Sequence, residues 1–215
     1  MNSNKSIKIA LDEASFRLVE YWGVTNSKET TSLTDEEFGS LETSLLKLIN
    51  LMSKTFKLLS TEVSENKIRN YLLDSIIFSA ISIHYSSDKK GEHEVTNSII
   101  SDILNEAYLL LLTKNDKYGT KNRPYRTMEF SNGLGIPVWK NSLLKLTDKM
   151  SIINIFLKNN LNYKHDESFK ETLQDVISYC VISLIYFDLR DTEYSFCGID
   201  DLFEDISQLI NERNE

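Results

Sequence analysis

The chain has 215 residues, 41% of them hydrophobic and 26% charged, with a formal net charge of −8. That length supports one large domain, or a domain with an appendage, and a core needing no covalent or metal staple. The acidic balance argues against a nucleic-acid scaffold, which carries a basic excess, and seven glycines with two prolines are too few for a turn-rich, strand-rich fold.

Helical periodicity starts near the N-terminus. Ile7, Leu11, Ala14, Leu18 and Trp22 recur on one face, and Gly23 stops that helix. Thr25 to Asp35 is polar and reads as a loop. The next helix is expected to begin at Thr34-Asp35-Glu36-Glu37, with Thr34 as N-cap and Glu37 closing a capping box. It continues through Leu41, Leu45, Leu48, Met52 and Phe56 to Leu59.

Lys67 to Tyr85 is apolar nearly all round, so other helices are expected to enclose it. Asp74 lies inside this run and needs a partner, with a hydrogen bond to a neighbouring helix or serine expected over a ligand role. The run is too short to span a bilayer. The linker Ser86 to Glu92 divides an N-terminal helical region, 1–92, from a helical core, 93–215, the two being free to pack as one domain.

Ile99 to Thr113 forms another helix, with Ile99, Ile100, Ile103, Ala107 and Leu110 inward. Residues 114–138 then hold both prolines, three glycines, Tyr118, Tyr125, Arg123 and Arg126. Helix connections usually take about 2–8 residues, so this long aromatic and basic stretch is read as a ligand-covering loop. Asn141 to Lys158, Glu167 to Asp188 and Asp201 to Asn211 complete an all-α bundle of about seven helices. Cys180 and Cys197 have no motif spacing, and Met1-Asn2-Ser3-Asn4-Lys5 lacks the apolar stretch of a signal peptide. A reducing, cytoplasmic setting without membrane contact is expected.

Three polar signatures interrupt the second half: Lys114-Asn115-Asp116-Lys117-Tyr118-Gly119, Lys145-Leu146-Thr147-Asp148-Lys149, and Glu167 to Asp175 with Tyr179 behind it. Glu167, Glu171 and Asp175 stand at i, i+4 and i+8, close to one line along a helix. Leu173, Val176, Ile177, Cys180 and Leu184 form the opposite, core stripe, which leaves a plain solvated face as one reading. Ile182 and Ile185 continue the acidic side, however, so the helix is expected to pack on both faces beyond Tyr179. Asp148 likewise lies opposite the stripe Trp139, Leu143, Leu146, Met150, Ile153 and Leu157, beside Leu144 and Ile155.

Acids on such second faces can meet inside a bundle and hold a metal ion. Lys145 and Lys149 offer salt bridges instead, because a buried carboxylate needs a cation of either kind. An all-oxygen set of Glu167, Glu171, Asp175, Asp148 and Glu106 selects Mg²⁺ or Mn²⁺. His84, His93 and His165 are the only histidines, so zinc is not expected.

The order Lys-Asn-x-x-Tyr-Gly, then a helix with Asp-Lys, then Glu-Ser-x-x-x-Thr-x-x-Asp-x-x-x-Tyr resembles the bacterial and phage nucleotide modification associated family. That family is similar to the all-α nucleoside triphosphate pyrophosphohydrolases of the MazG-like type. The resemblance covers roughly Ser98 to Asp188 and leaves the N-terminal helices as an addition to a MazG-like core. It implies Mg²⁺-dependent splitting of a nucleoside triphosphate, modified ones included, into monophosphate and pyrophosphate. Glu167, Glu171 and Asp175 match the acidic second motif, Asp148 the acid of the preceding helix, and Lys114, Asp116 and Tyr118 the loop signature. The Glu-Glu-x-x-Glu helix usual in MazG-like proteins is reduced here to Asp148.

On this reading Glu171 and Asp175 are the catalytic acids. Lys114, Lys117, Arg123, Lys145 and Lys149 are candidates for phosphate, and Tyr118, Tyr125 or Trp139 for the base. A non-hydrolytic nucleotide sensor or sponge, and a helical interaction module, are the alternatives. The resemblance also implies a homodimer.

Overall fold

The computed structural model describes residues 3–22, 40–59, 65–87, 95–118, 131, 134–159, 161 and 166–189. Among the described residues there are six helices and no strand. They are α1 (Ser3–Trp22), α2 (Leu41–Leu58), α3 (Glu65–Ser87), α4 (Asn97–Tyr118), α5 (Val138–Lys158) and α6 (Glu167–Asp188). The expected helix at Asp201 to Asn211 and the signal at Thr34 lie outside the described residues.

Two helices form the inside of the bundle. In α3 every residue from Leu72 to His84 is buried, and α6 is buried on both faces from Val176 to Cys180 and from there to Ile185, apart from half-buried Tyr179. They pack on each other, with α1 and α4 against both, α2 against α3 and α5 against α6. One continuous apolar core takes residues from all six helices, so the linker near Gly91 does not separate two cores. Serines make this possible without orphaned hydroxyls. Ser75, Ser79 and Ser82 each donate to the carbonyl four residues back, at 2.6–2.7 Å, and Ser82 also meets Ser44 of α2 at 2.8 Å.

Ion pairs fix the flanking helices to this pair. Asp74 takes Nε of Arg17 from α1 at 2.5 Å, the neighbouring-helix partner its burial demanded. Arg69 of α3 reaches Glu13 of α1, with its Nη2 2.6 Å from Oε2, and Asp188 of α6 at 3.1 Å. Its hydrogen bond holds Glu13 below the usual carboxylate range against the effect of burial.

Three of the boundaries that differ from the sequence reading matter here. At Ser40 the backbone is extended (φ −159°, ψ 160°) and its hydroxyl accepts from Thr43 N at 3.1 Å, so α2 is capped there and is not one helix from Thr34. Helix α5 starts at Val138, behind Pro137, three residues earlier than expected. Most consequential is α4, which runs on through Tyr118. Lys114 to Tyr118 therefore stand on a helix, where the sequence suggested the start of a loop. The buried face of α4 is Ile100, Leu104, Ala107 and Leu111, leaving Ile99, Ile103 and Leu110 only partly covered.

Candidate functional site

The polar residues that matter most lie where α4, α5 and α6 meet. Asp166 caps α6, its carboxylate accepting from Ser168 N at 3.0 Å. Two turns on, Asp175 stands at the edge of the buried stripe with its side chain 20% exposed. Lys114 of α4 comes within 2.5 Å of Oδ1 and Lys149 of α5 within 2.7 Å of Oδ2. Each carboxylate oxygen serves one ammonium, and each ammonium comes from a different helix.

Antiparallel packing of α5 on α6 sets this register. Phe156 meets Phe169 edge-on with ring centroids 4.5 Å apart, and Trp139 meets Phe187 in the same way at 5.2 Å. Lys149 falls between those two aromatic contacts, level with Asp175. Both lysines keep part of their surface in solvent, 39% for Lys114 and 23% for Lys149.

Burial works to raise the Asp175 carboxyl, but the hydrogen bonds and charges of Lys114 and Lys149 outweigh it and hold the group below its usual range. Burial likewise works to lower Lys149, and the Asp175 bond, with the charges of Asp175, Tyr179 and Asp148, raises it instead. The Tyr179 phenol is pushed up by burial and by the charges of Asp175 and Asp148, against the opposite pull of Lys149. Tyr179 thus belongs to the same electrostatic centre. It ends the third polar signature, and its spacing of four residues from Asp175 was the sequence signal for it.

The other expected ligands do not join Asp175. Glu167, Glu171 and Asp148 are exposed, and Glu106 is paired with Lys170 at 3.1 Å, across the surface between α4 and α6. Among the described residues no three acidic, histidine or cysteine side chains gather to hold an ion. Mg²⁺ requires several oxygen donors, and the one partly buried acid here has both oxygens on lysines. Among the described residues this arrangement does not fit a resident Mg²⁺ or Mn²⁺. The lysines supply the neutralising charge that a buried carboxylate needs.

Of the expected phosphate and base contacts, Lys117 and Lys145 are exposed, one turn from Lys114 and Lys149, and Asp116 is exposed beside them. Trp139 is about 15 Å along α5 from Lys149 by helical rise; it packs on Phe187 and is not part of the centre. Leu144 and Ile155, expected to cover a second packed face of α5, are 52% and 57% exposed. Tyr118 is the last residue of α4, while Arg123 and Tyr125 lie outside the described residues.

No protein family, curated protein or solved structure gives a match to this chain. What fold and site define is a class: an all-helical bundle in which three helices bring two lysines onto one aspartate. No described helix is long and apolar enough to cross a membrane.

Proposed function

We propose that this protein binds the phosphate groups of a nucleotide through Lys114 and Lys149. One observation carries the reading. The three polar signatures, far apart in sequence, each send a residue to one solvent-reachable point, as Lys114, Lys149 and Asp175. Those signatures are the ones that resemble the nucleotide modification associated family. Paired ammonium groups are a natural seat for a phosphoryl group, whose oxygens accept charge-assisted hydrogen bonds. Lys117 and Lys145 add positive charge one turn away.

The test is thermal unfolding with a panel of nucleoside mono-, di- and triphosphates, each with and without Mg²⁺. A ligand at a hundred times its Kd stabilises the folded state by about 2.7 kcal/mol, a shift of several degrees. The shift is expected for at least one nucleotide and is absent from the Lys114→Met, Lys149→Met double variant. If no nucleotide raises Tm, the proposal fails.

Pyrophosphohydrolysis of a nucleoside triphosphate that arrives with its own Mg²⁺ is the second reading, because Asp148 acts electrostatically on Lys149 and Tyr179 beside Asp175. Pyrophosphate release from the same samples separates catalysis from binding alone. The homodimer belongs to this proposal too, with the exposed Leu144, Ile152 and Ile155 of α5 as its surface, and sedimentation velocity tests it. A cytoplasmic setting goes with a nucleotide ligand.

A further inference from the structure

We propose that Asp175 is a built-in competitor for the two lysines, so that the site admits only groups carrying at least two negative charges. This rests on the phosphate-binding reading above and specifies the ligand class. The geometry that supports it is the bridge itself. Oδ1 takes Lys114 at 2.5 Å and Oδ2 takes Lys149 at 2.7 Å, so one carboxylate occupies both ammonium groups at once. A phosphoryl group offers two oxygens on one atom in the same way, and is therefore the kind of group that can take its place.

Competition sets the threshold. Asp175 is tethered to the site, and a tethered group acts at a high effective concentration. A free carboxylate or a phosphodiester brings one charge and gains nothing over the resident group. A phosphomonoester or the terminal group of a polyphosphate brings more charge than Asp175 and displaces it from the lysines. The Asp175 side chain is already 20% exposed in the bridge, so its carboxylate can turn toward water without being stranded. The site thereby favours nucleoside di- and triphosphates and rejects the backbone of nucleic acid, in which every phosphate is a diester.

Inorganic triphosphate and a dinucleotide with a single phosphodiester are the probes, titrated calorimetrically into the full chain. Removing the competitor by Asp175→Asn is expected to tighten triphosphate binding about tenfold, the scale of one hydrogen bond to a charged group, and to let the dinucleotide bind. Affinity equal to or weaker than wild type in a folded Asp175→Asn protein overturns the inference and leaves the phosphate-binding reading standing. Absence of triphosphate and nucleotide binding in both proteins overturns that reading as well. Should the variant fail to fold, the wild type supplies the answer: the Asp175 carboxyl ¹³C resonance is expected to move with triphosphate and not with acetate. A resonance unmoved by saturating triphosphate is equally fatal to the inference.

Discussion

Nζ of Lys149 lies 2.7 Å from Oδ2 of Asp175, which joins α5 to α6 between two edge-on aromatic contacts. The bond is local, but it bears on stability, on acid resistance and on the proposed phosphate site. Each can be measured separately.

Replacing Lys149 by methionine keeps the apolar stem that packs along the helix and removes only the charge. Asp175 then retains Lys114 alone. The pair is partly exposed, so the cost expected is about 1 kcal/mol, well below that of breaking a fully buried bridge. Urea unfolding reads it. No change in midpoint means the bond contributes nothing to the fold.

Acid should weaken the protein in a defined window. Asp175 and Glu13 both have depressed carboxyls, so their contribution is complete above the unfolded values near 4 and is lost as pH falls through the lower folded values. Melting temperature is expected to hold above about pH 5 and fall below about pH 4. The decline should be shallower in Asp175→Asn, which has one such group fewer. An identical slope in wild type and variant would show that Asp175 gains no protection from its lysines.

Gly135 adopts φ +73° in the turn before α5, and a Cβ there meets nothing within 4 Å. Gly135→Ala therefore tests conformation alone, and about 1–2 kcal/mol of destabilisation is expected. Stability equal to wild type would mean that this turn rearranges freely.

Cys180 is completely buried in α6, and burial alone pushes its thiol well above the ordinary range. In a Cys197→Ser background the native protein should not react with an aromatic disulfide reagent, while one thiol appears on unfolding. Prompt native reaction would contradict the inner position of α6.

Much of the fold was legible because periodicity reports burial directly. The run from Lys67 to Tyr85, apolar nearly all round, marked α3 as an inner helix, and Ile182 with Ile185 marked α6 as packed on two faces. Caps were harder, since Thr34 begins a good capping-box pattern while the observed cap, Ser40, sits in a less distinctive sequence. Likewise Lys114 to Tyr118 looked like a loop because polar residues crowd there, yet α4 carries them for another turn.

The three residues of the bridge were legible in the sequence, and their pairing was not. Asp175, Lys114 and Lys149 each stand in a polar signature of the sequence, but spacing along a helix cannot say which acid turns inward. Asp175 borders the buried stripe and meets lysines from two other helices, whereas Glu167 and Glu171 remain in solvent. Those contacts are decided by how three helices cross, which no single segment encodes.

The proposed function depends first on Lys114 and Lys149 receiving phosphate. A crystal structure with a non-hydrolysable nucleoside triphosphate analogue tests it most directly. A phosphoryl group is expected within hydrogen-bond reach of both Nζ atoms, with Asp175 turned away from them. A bound analogue elsewhere, with the Lys114–Asp175–Lys149 bridge intact, would contradict it.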